Sequence, residues 1–419
     1  MKKILFIILF FSLVPISAQQ KEDSFSVIYQ LLEQKNYLKA QYLFDENKNE
    51  FSKEEQTYSK AILDNVFNKL EDSEKNIQIL LNQKNVPDSL LQKLYYTKKD
   101  NLIKLYQYGK AAETIKIIQQ KFSKKLSTEQ MKDLENDFNL WYSLKNVPQQ
   151  EVFVHNDTNL LLKQDKAGLK NINISVKQDS VDFVFDTGAN ISVITNSLAK
   201  KFGLEIFPSK IEVNAITGKV VTAHSAVCKE LKIGKIVIKN VVFLVFEDAD
   251  LAFPQIAYQI NGIIGFPIIE AMNEIVITRD NHFIVSKNTK ANVEKSKNMA
   301  LDGLIPLIFF DENPYTFDTG ANTTLLYRPY FFENQKTIEQ NYQLSEIDFG
   351  GAGGNDKQKG YRINREFEVS GKKTNLDNVF LLINKSEKKG KIYGNIGQDF
   401  IQKFQKMKIN FKEMFISFE

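Results

Sequence analysis

Two stretches of this 419-residue chain are identical over six residues: Phe185-Asp186-Thr187-Gly188-Ala189-Asn190 and Phe317-Asp318-Thr319-Gly320-Ala321-Asn322, 132 positions apart. Each puts an acid on a glycine turn after an apolar run, SVDFVF in the first case and LIPLIFF in the second. A single Asp-Thr-Gly is a common way to leave a strand, because Asp and Thr hydrogen-bond to nearby backbone and Gly tolerates positive φ. The repeat changes that reading. At the same offset Gly262 and Gly265 in NGIIGFPII fall on Gly394 and Gly397 in YGNIGQDFI, and Ile277, Phe283 and Ile284 fall on Ile409, Phe415 and Ile416. The chain therefore carries two homologous β lobes of roughly 130 residues.

Two lobes related by a pseudo-twofold axis can bring equivalent turns face to face, as an isologous dimer repeats one patch on both subunits. Asp186 then meets Asp318. Two carboxyls in contact cannot both ionise readily, so the pair holds one shared proton over a range of pH. Such a pair supplies a base and an acid together. One carboxylate takes a proton from a water that attacks a carbonyl carbon, and the other donates to the carbonyl oxygen. The titration belongs to the pair and not to either residue.

The elements that must position this pair lie in the second of two compositional halves. From about Asp23 to Lys145 apolar residues recur at helical spacing, as in VIYQLLEQKNYLKAQYLF and AAETIKIIQQKF, with almost no Gly. LLEQKNYLKAQYLF, FNKLEDSEKNIQIL and IKLYQYGKAAETIKI each read helix, short polar break, helix, with breaks near Tyr37, Asp72 and Gly109. That spacing resembles tetratricopeptide helical-hairpin repeats, with Ala40 and Ala111 at the small-residue position, although the usual Trp, Gly and Pro positions are mostly missing. An unspecialised helical bundle accounts for the same pattern, and both readings stay open. The aromatic stripe of Tyr29, Tyr37, Tyr42, Tyr95, Tyr96 and Tyr106 reads as packing. Past Asn146-Val147-Pro148-Gln149-Gln150 come short alternating runs, NINISV, IEVNAI, KIVIKNVVFLVF and EIVIT, divided by turn residues, so everything from about Val152 reads as largely β.

Composition narrows the function classes. The opening MKKILFIILFFSLVPISAQQ has two lysines, a short apolar run and a small-residue end, which is the pattern of a secretory signal peptide over 1–18. The run is shorter than the ~20 apolar residues of a spanning helix, and no later segment offers another span. The chain is thus expected outside the cytoplasm, periplasmic or extracellular, in a bacterial type of setting. The formal charge of +4 has both signs interspersed, which calls for no nucleic acid. Cys228 is the one cysteine, so no internal disulfide can form, and it reads as a buried small hydrophobe. His155, His224 and His282 stand singly, without metal-ligand spacing. No GxSxG elbow or GxxxxGK[ST] loop occurs.

With both motifs in view the chain resembles the aspartic proteases over about Leu160 to Phe418. Two DTGA motifs in one chain are pepsin-like in connectivity, while the short lobes and the DTGA form are closer to retropepsin-like enzymes. The resemblance implies that Asp186 and Asp318 are the catalytic pair and that no cofactor is needed. It implies that Thr187 and Thr319 bond across the lobe interface, and that Gly188 and Gly320 present backbone N–H groups to the carboxylates. Ile263-Ile264-Gly265 and Asn395-Ile396-Gly397 match the element that packs against each Asp loop, where close backbone approach needs glycine. Asn395 departs from the apolar residue usual there. Flap candidates are Ala215 to Lys219, including Gly218, and Phe349 to Gly354, including Gly351 and Gly353. Ala189 and Ala321 lack the hydroxyl that pepsin-like enzymes place after the triplet. Asn190 and Asn322 occupy the place where retropepsin-like enzymes hold substrate main chain, keeping hydrogen-bonding capacity without charge.

The expected architecture is an N-terminal all-α, helical-repeat-like domain over 19–148, then an all-β bilobed acid-protease domain with lobes over 151–295 and 296–419. The expected function is a secreted aspartic endopeptidase acting on peptide or protein substrates, with the helical domain open to a protein partner. Two alternatives stand beside it: a non-catalytic peptide-binding protein on the same fold, and a scaffold whose function lies in the helices.

Overall fold

From Ser24 to Ser143 the chain is helical, and from Glu151 onward it is mostly strand. The computed structural model describes residues 24–214, 220–254, 257–288, 297–351, 354–369, 371–383 and 391–419. The expected leader over 1–18 lies outside the described residues. Among them no helix is long and apolar enough to cross a membrane. The helices are Ser24–Glu33, Tyr37–Asn47, Lys53–Val66, Leu70–Leu81, Asp88–Lys104, Tyr108–Lys121 and Thr128–Ser143. Two of them start on capping boxes, Ser52 with Glu55 and Ser127 with Gln130, in which side chains satisfy amides that the first turn leaves without partners. Residues at the helical period, among them Ile28, Leu32, Phe44, Ile62, Ile77 and Ile115, are buried.

Three helical hairpins share one turn. Lys35, Asn68 and Tyr106 each take a left-handed conformation, with φ of 61°, 60° and 57°. The next residue in each case donates its N–H to the carbonyl five positions back: Asn36 to Leu31, Lys69 to Asp64, Gln107 to Leu102. A left-handed residue placed there lets the last helical carbonyls find donors. The following helices begin at Tyr37, Leu70 and Tyr108, and Ala40, Ser73 and Ala111 sit at one equivalent, fully buried position in them. The Ser73 hydroxyl donates to the Ala61 carbonyl of the preceding helix at 2.6 Å, so the two helices are in close contact. Five of the six stripe tyrosines pack against the cores, but Tyr42 is 63% exposed on the outer side of its helix.

The two β lobes repeat one topology. In the first, Asp179–Phe185 runs parallel to Gly262–Ile264, which is antiparallel to Ser192–Thr195, which is parallel to Ile236–Phe246. In the second, Asn313–Phe317, Gly394–Ile396, Leu325–Leu326 and Lys372–Leu382 follow in the same order with the same directions. LIPLIFF does not lead directly into the second Asp; its strand Ile305–Phe310 is the antiparallel partner of Asn313–Phe317, which does. The two are joined through Asp311 and Glu312, both at positive φ, the geometry of a tight hairpin turn.

A further sheet joins the lobes. Glu274–Thr278 pairs antiparallel with Lys406–Asn410, its own equivalent at the 132-residue offset, and Val276 stands opposite Lys408, its own copy. A register of that kind is what a twofold axis through the pair produces. The outermost hairpin of each lobe is Glu205–Asn214 with Val220–Ile233, and Ser345–Gly351 with Gly354–Val369. These are the flap candidates. Gly218 and the rest of 215–219, with Ala352 and Gly353, lie outside the described residues; Gly351 ends its strand paired with Gly354.

The helices do not stand apart from the strands. Each of the two hydrophobic cores draws residues from both. The three turn residues reach the β half: Lys35 pairs with Asp302, Asn68 donates to Glu270 at 2.7 Å, and the Tyr106 hydroxyl accepts from Gln150, which also donates to the Pro267 carbonyl. Asn136 bonds both the N–H and the carbonyl of Glu212 in the first outer hairpin, at 2.7 and 2.8 Å. Cys228 is buried in the first lobe, and burial pushes its thiol up to about 11.

Candidate active site

Each Asp hangs from the strand parallel to its own. The Asp186 N–H donates to the Ile264 carbonyl at 3.1 Å and the Asp318 N–H to the Ile396 carbonyl at 3.0 Å. The chain then turns, and the amide of the glycine two residues on donates back to the carboxylate: Gly188 to Asp186 Oδ1 at 2.8 Å, Gly320 to Asp318 Oδ1 at 2.9 Å. Each glycine also lies against the other lobe's acid. A Cβ on Gly188 would stand 2.6 Å from Asp318 Cγ, and one on Gly320 would stand 2.2 Å from Asp186 Cγ, so no side chain fits at either place.

The threonines lock the turns to one another. Thr187 Oγ1 accepts from the Thr319 N–H at 3.0 Å and donates to the Phe317 carbonyl at 2.8 Å; Thr319 Oγ1 accepts from the Thr187 N–H at 3.0 Å and donates to the Phe185 carbonyl at 2.9 Å. Both threonines are buried, so all four bonds are shielded from water. The outcome is a pair of carboxyls brought face to face across the lobes, each packed against the glycine of the other turn.

Gly265 and Gly397 back this arrangement. A Cβ on Gly265 would come within 2.7 Å of the Ala189 carbonyl oxygen, and one on Gly397 within 2.7 Å of the Thr323 carbonyl carbon. Their φ values are ordinary, so close approach alone demands glycine. Their amides donate to the hydroxyls of Ser192 and Thr324, equivalent residues whose shared offset of 132 is the signal in the sequence that could have found them. Buried Gln398 adds a bond from Nε2 to the Thr319 carbonyl at 2.8 Å, a contact that no local pattern announces.

The electrostatics of the pair are uneven. Burial, the facing charge of Asp318 and the hydrogen bond to it push the Asp186 carboxyl well above the usual range, against the opposing pull of the Gly188 and Ala189 amides. Asp318 accepts from a side-chain amide as well as from its glycine: Asn395 Nδ2 reaches its Oδ2 at 3.0 Å. The equivalent residue in the first lobe is Ile263.

Of the expected substrate contacts, Asn190 is exposed beside the first turn. Asn322 donates its Nδ2 to the Ala167 carbonyl at 2.6 Å, so its amide is engaged with the 165–168 loop of the other lobe.

The family model described as aspartyl protease matches residues 172–268, a span that holds the first Asp turn and Gly265 but stops short of the second lobe. Among solved structures the chain is similar to a retropepsin-like aspartic protease from Rickettsia conorii, at 21% identity over 30% of this chain and 98% of that one, with a TM-score of 0.24. It is also similar to basic 7S globulin from soybean, at 10% identity over 63% of this chain and 94% of that one, with a TM-score of 0.38. No curated protein matches the chain.

Proposed function

We propose that this chain is an aspartic endopeptidase whose catalytic pair is Asp186 and Asp318. The observation that carries the reading is the placement of the two carboxyls face to face on turns locked by reciprocal threonine bonds. A pair sharing one proton offers a base for a water and an acid for a carbonyl oxygen at once, and the fixed turns remove the need to reorganise either group during the reaction. The aspartyl protease match over 172–268 supports the substrate class. Peptide main chain bound in extended form can pair with the outer hairpins, which favours unfolded or loop segments. The leader pattern over 1–18 supports export, with the reaction taking place outside the cytoplasm.

The test is digestion of a mixed peptide library by the wild-type chain, by Asp186→Asn and by Asp318→Asn, with and without pepstatin. Cleavage that both substitutions abolish supports the proposal. Cleavage that survives either substitution, or no cleavage by the wild type between pH 3 and 8, overturns it; in the second case peptide retention without cleavage marks a binding protein.

A further inference from the structure

One pair of positions on the strands that support the acids differs in chemistry between the lobes. Val184 and Ile263 face each other in the first lobe, on the parallel strands that support Asp186. Their equivalents in the second lobe are Thr316 and Asn395, paired in the same register. Thr316 Oγ1 donates to Asn395 Oδ1, with the Gly394 carbonyl a second acceptor at 3.3 Å. With the Thr316 hydroxyl donating to its Oδ1, the Asn395 amide presents Nδ2 to Asp318 Oδ2 at 3.0 Å. Asn395 is 7% exposed, so its donor faces the carboxylate with little competition from water.

We propose that Asn395 is a positioning residue that assigns the two halves of the acid–base pair: by donating to Asp318 it holds that carboxylate as the proton acceptor and leaves Asp186 as the proton donor. The inference rests on the endopeptidase reading for its chemical meaning. An amide N–H can only donate there, and donation stabilises the ionised carboxylate over the neutral acid. The groups facing the Asp318 carboxylate are Asp186, the Gly320 amide and Asn395. The glycine amides act on both acids alike and the Ala189 amide adds to Asp186, so among the described residues Asn395 is the side-chain donor that distinguishes Asp318. The raised Asp186 carboxyl agrees in direction.

Asp318 takes one proton from water as the water oxygen bonds the carbonyl carbon. The carbonyl π pair moves to oxygen and collects the proton of Asp186. In the second step Asp318 returns its proton to the amide nitrogen, the C–N bond breaks, and Asp186 recovers a proton from the diol as the new carboxyl forms.

The experiment compares pH profiles of kcat/KM for the wild type, Asn395→Ile, Thr316→Val and the double variant, which installs the first lobe's Val–Ile pair and so keeps a packing this chain already uses. Loss of one hydrogen bond to a charged group predicts an acid limb moved up by about one pH unit, roughly a tenfold loss of kcat/KM at the acid end, with the basic limb and KM little changed. Thr316→Val alone moves the limb in the same direction by less. Folded variants whose acid limb stays with the wild type overturn the inference. A titration of the full chain with ¹³C-labelled aspartate needs no turnover: Asp318 ionising before Asp186 supports the assignment, and the reverse order overturns it. Survival of cleavage in Asp186→Asn or Asp318→Asn overturns the endopeptidase reading, whichever order the titration gives.

Discussion

Every threonine hydroxyl in the Asp turns accepts one amide and donates to one carbonyl of the opposite lobe, so neither can be lost without stranding two buried backbone groups. Thr187→Val is expected to cost about 2 kcal/mol in urea unfolding and to lower kcat more than KM, with Thr187→Ser restoring both. The acids have the opposite relation to stability. Asp186 binds its proton more tightly folded than unfolded, so its contribution is full below the ordinary carboxylate range and declines as pH rises toward its raised value. Asp186→Asn is therefore expected to raise the Tm at pH 7 by about 1–3 °C while removing activity, as read by calorimetry against a peptide assay. The missing hydroxyls at Ala189 and Ala321 act in the same direction, and the kcat/KM optimum is expected at mildly acidic to neutral pH. A peak below about pH 3 would contradict that. At this scale the two Asp-Thr-Gly triplets were legible because identity at a fixed offset is a property of the sequence. The role of Asn395 was not, because a donor has no meaning until its acceptor is placed beside it.

Strands and turns decide how close those residues come. Gly397 meets backbone atoms of Ala321 and Thr323, which cannot swing aside as a side chain could. Gly397→Ala is expected to destabilise the chain by about 1–3 kcal/mol and to depress cleavage beyond the fraction unfolded, measured by urea titration beside an active-site titration. Helix existence was legible where period and spacing carried it, although the breaks read near Tyr37, Asp72 and Gly109 fall earlier, at Lys35, Asn68 and Tyr106. What stayed hidden was turn chemistry. Lys35, Tyr106 and Glu312 adopt positive φ although none is Gly, Asn or Asp, so only Asn68 and Asp311 carry a residue type that announces such a turn. That is why LIPLIFF read as the strand before the acid and proved to be its partner.

The whole molecule is held together by contacts that ignore the change from helix to strand. Both cores mix the two halves, and the helical side is bonded to the first lobe at Glu212 and Glu270 and to the second at Asp302. Removing 24–148 is expected to expose apolar surface on both lobes and give a chain that elutes as aggregate in size-exclusion chromatography. A truncated chain that stays monomeric and cleaves peptides would instead mark the helices as a detachable module. Composition made the two halves legible. Their shared cores were not, since an apolar face on a helix does not say which neighbour covers it.

Lys35 grips one side of the seam between the lobes, and Asn68 and Tyr106 grip the other, at intervals fixed by the length of a hairpin. The stack is therefore a ruler laid across the seam. Open-ended repeat arrays can gain or lose a unit and merely grow or shrink. Here an added or deleted hairpin would carry the grips out of step with the lobes, so the number of hairpins is set by the distance the ruler has to measure.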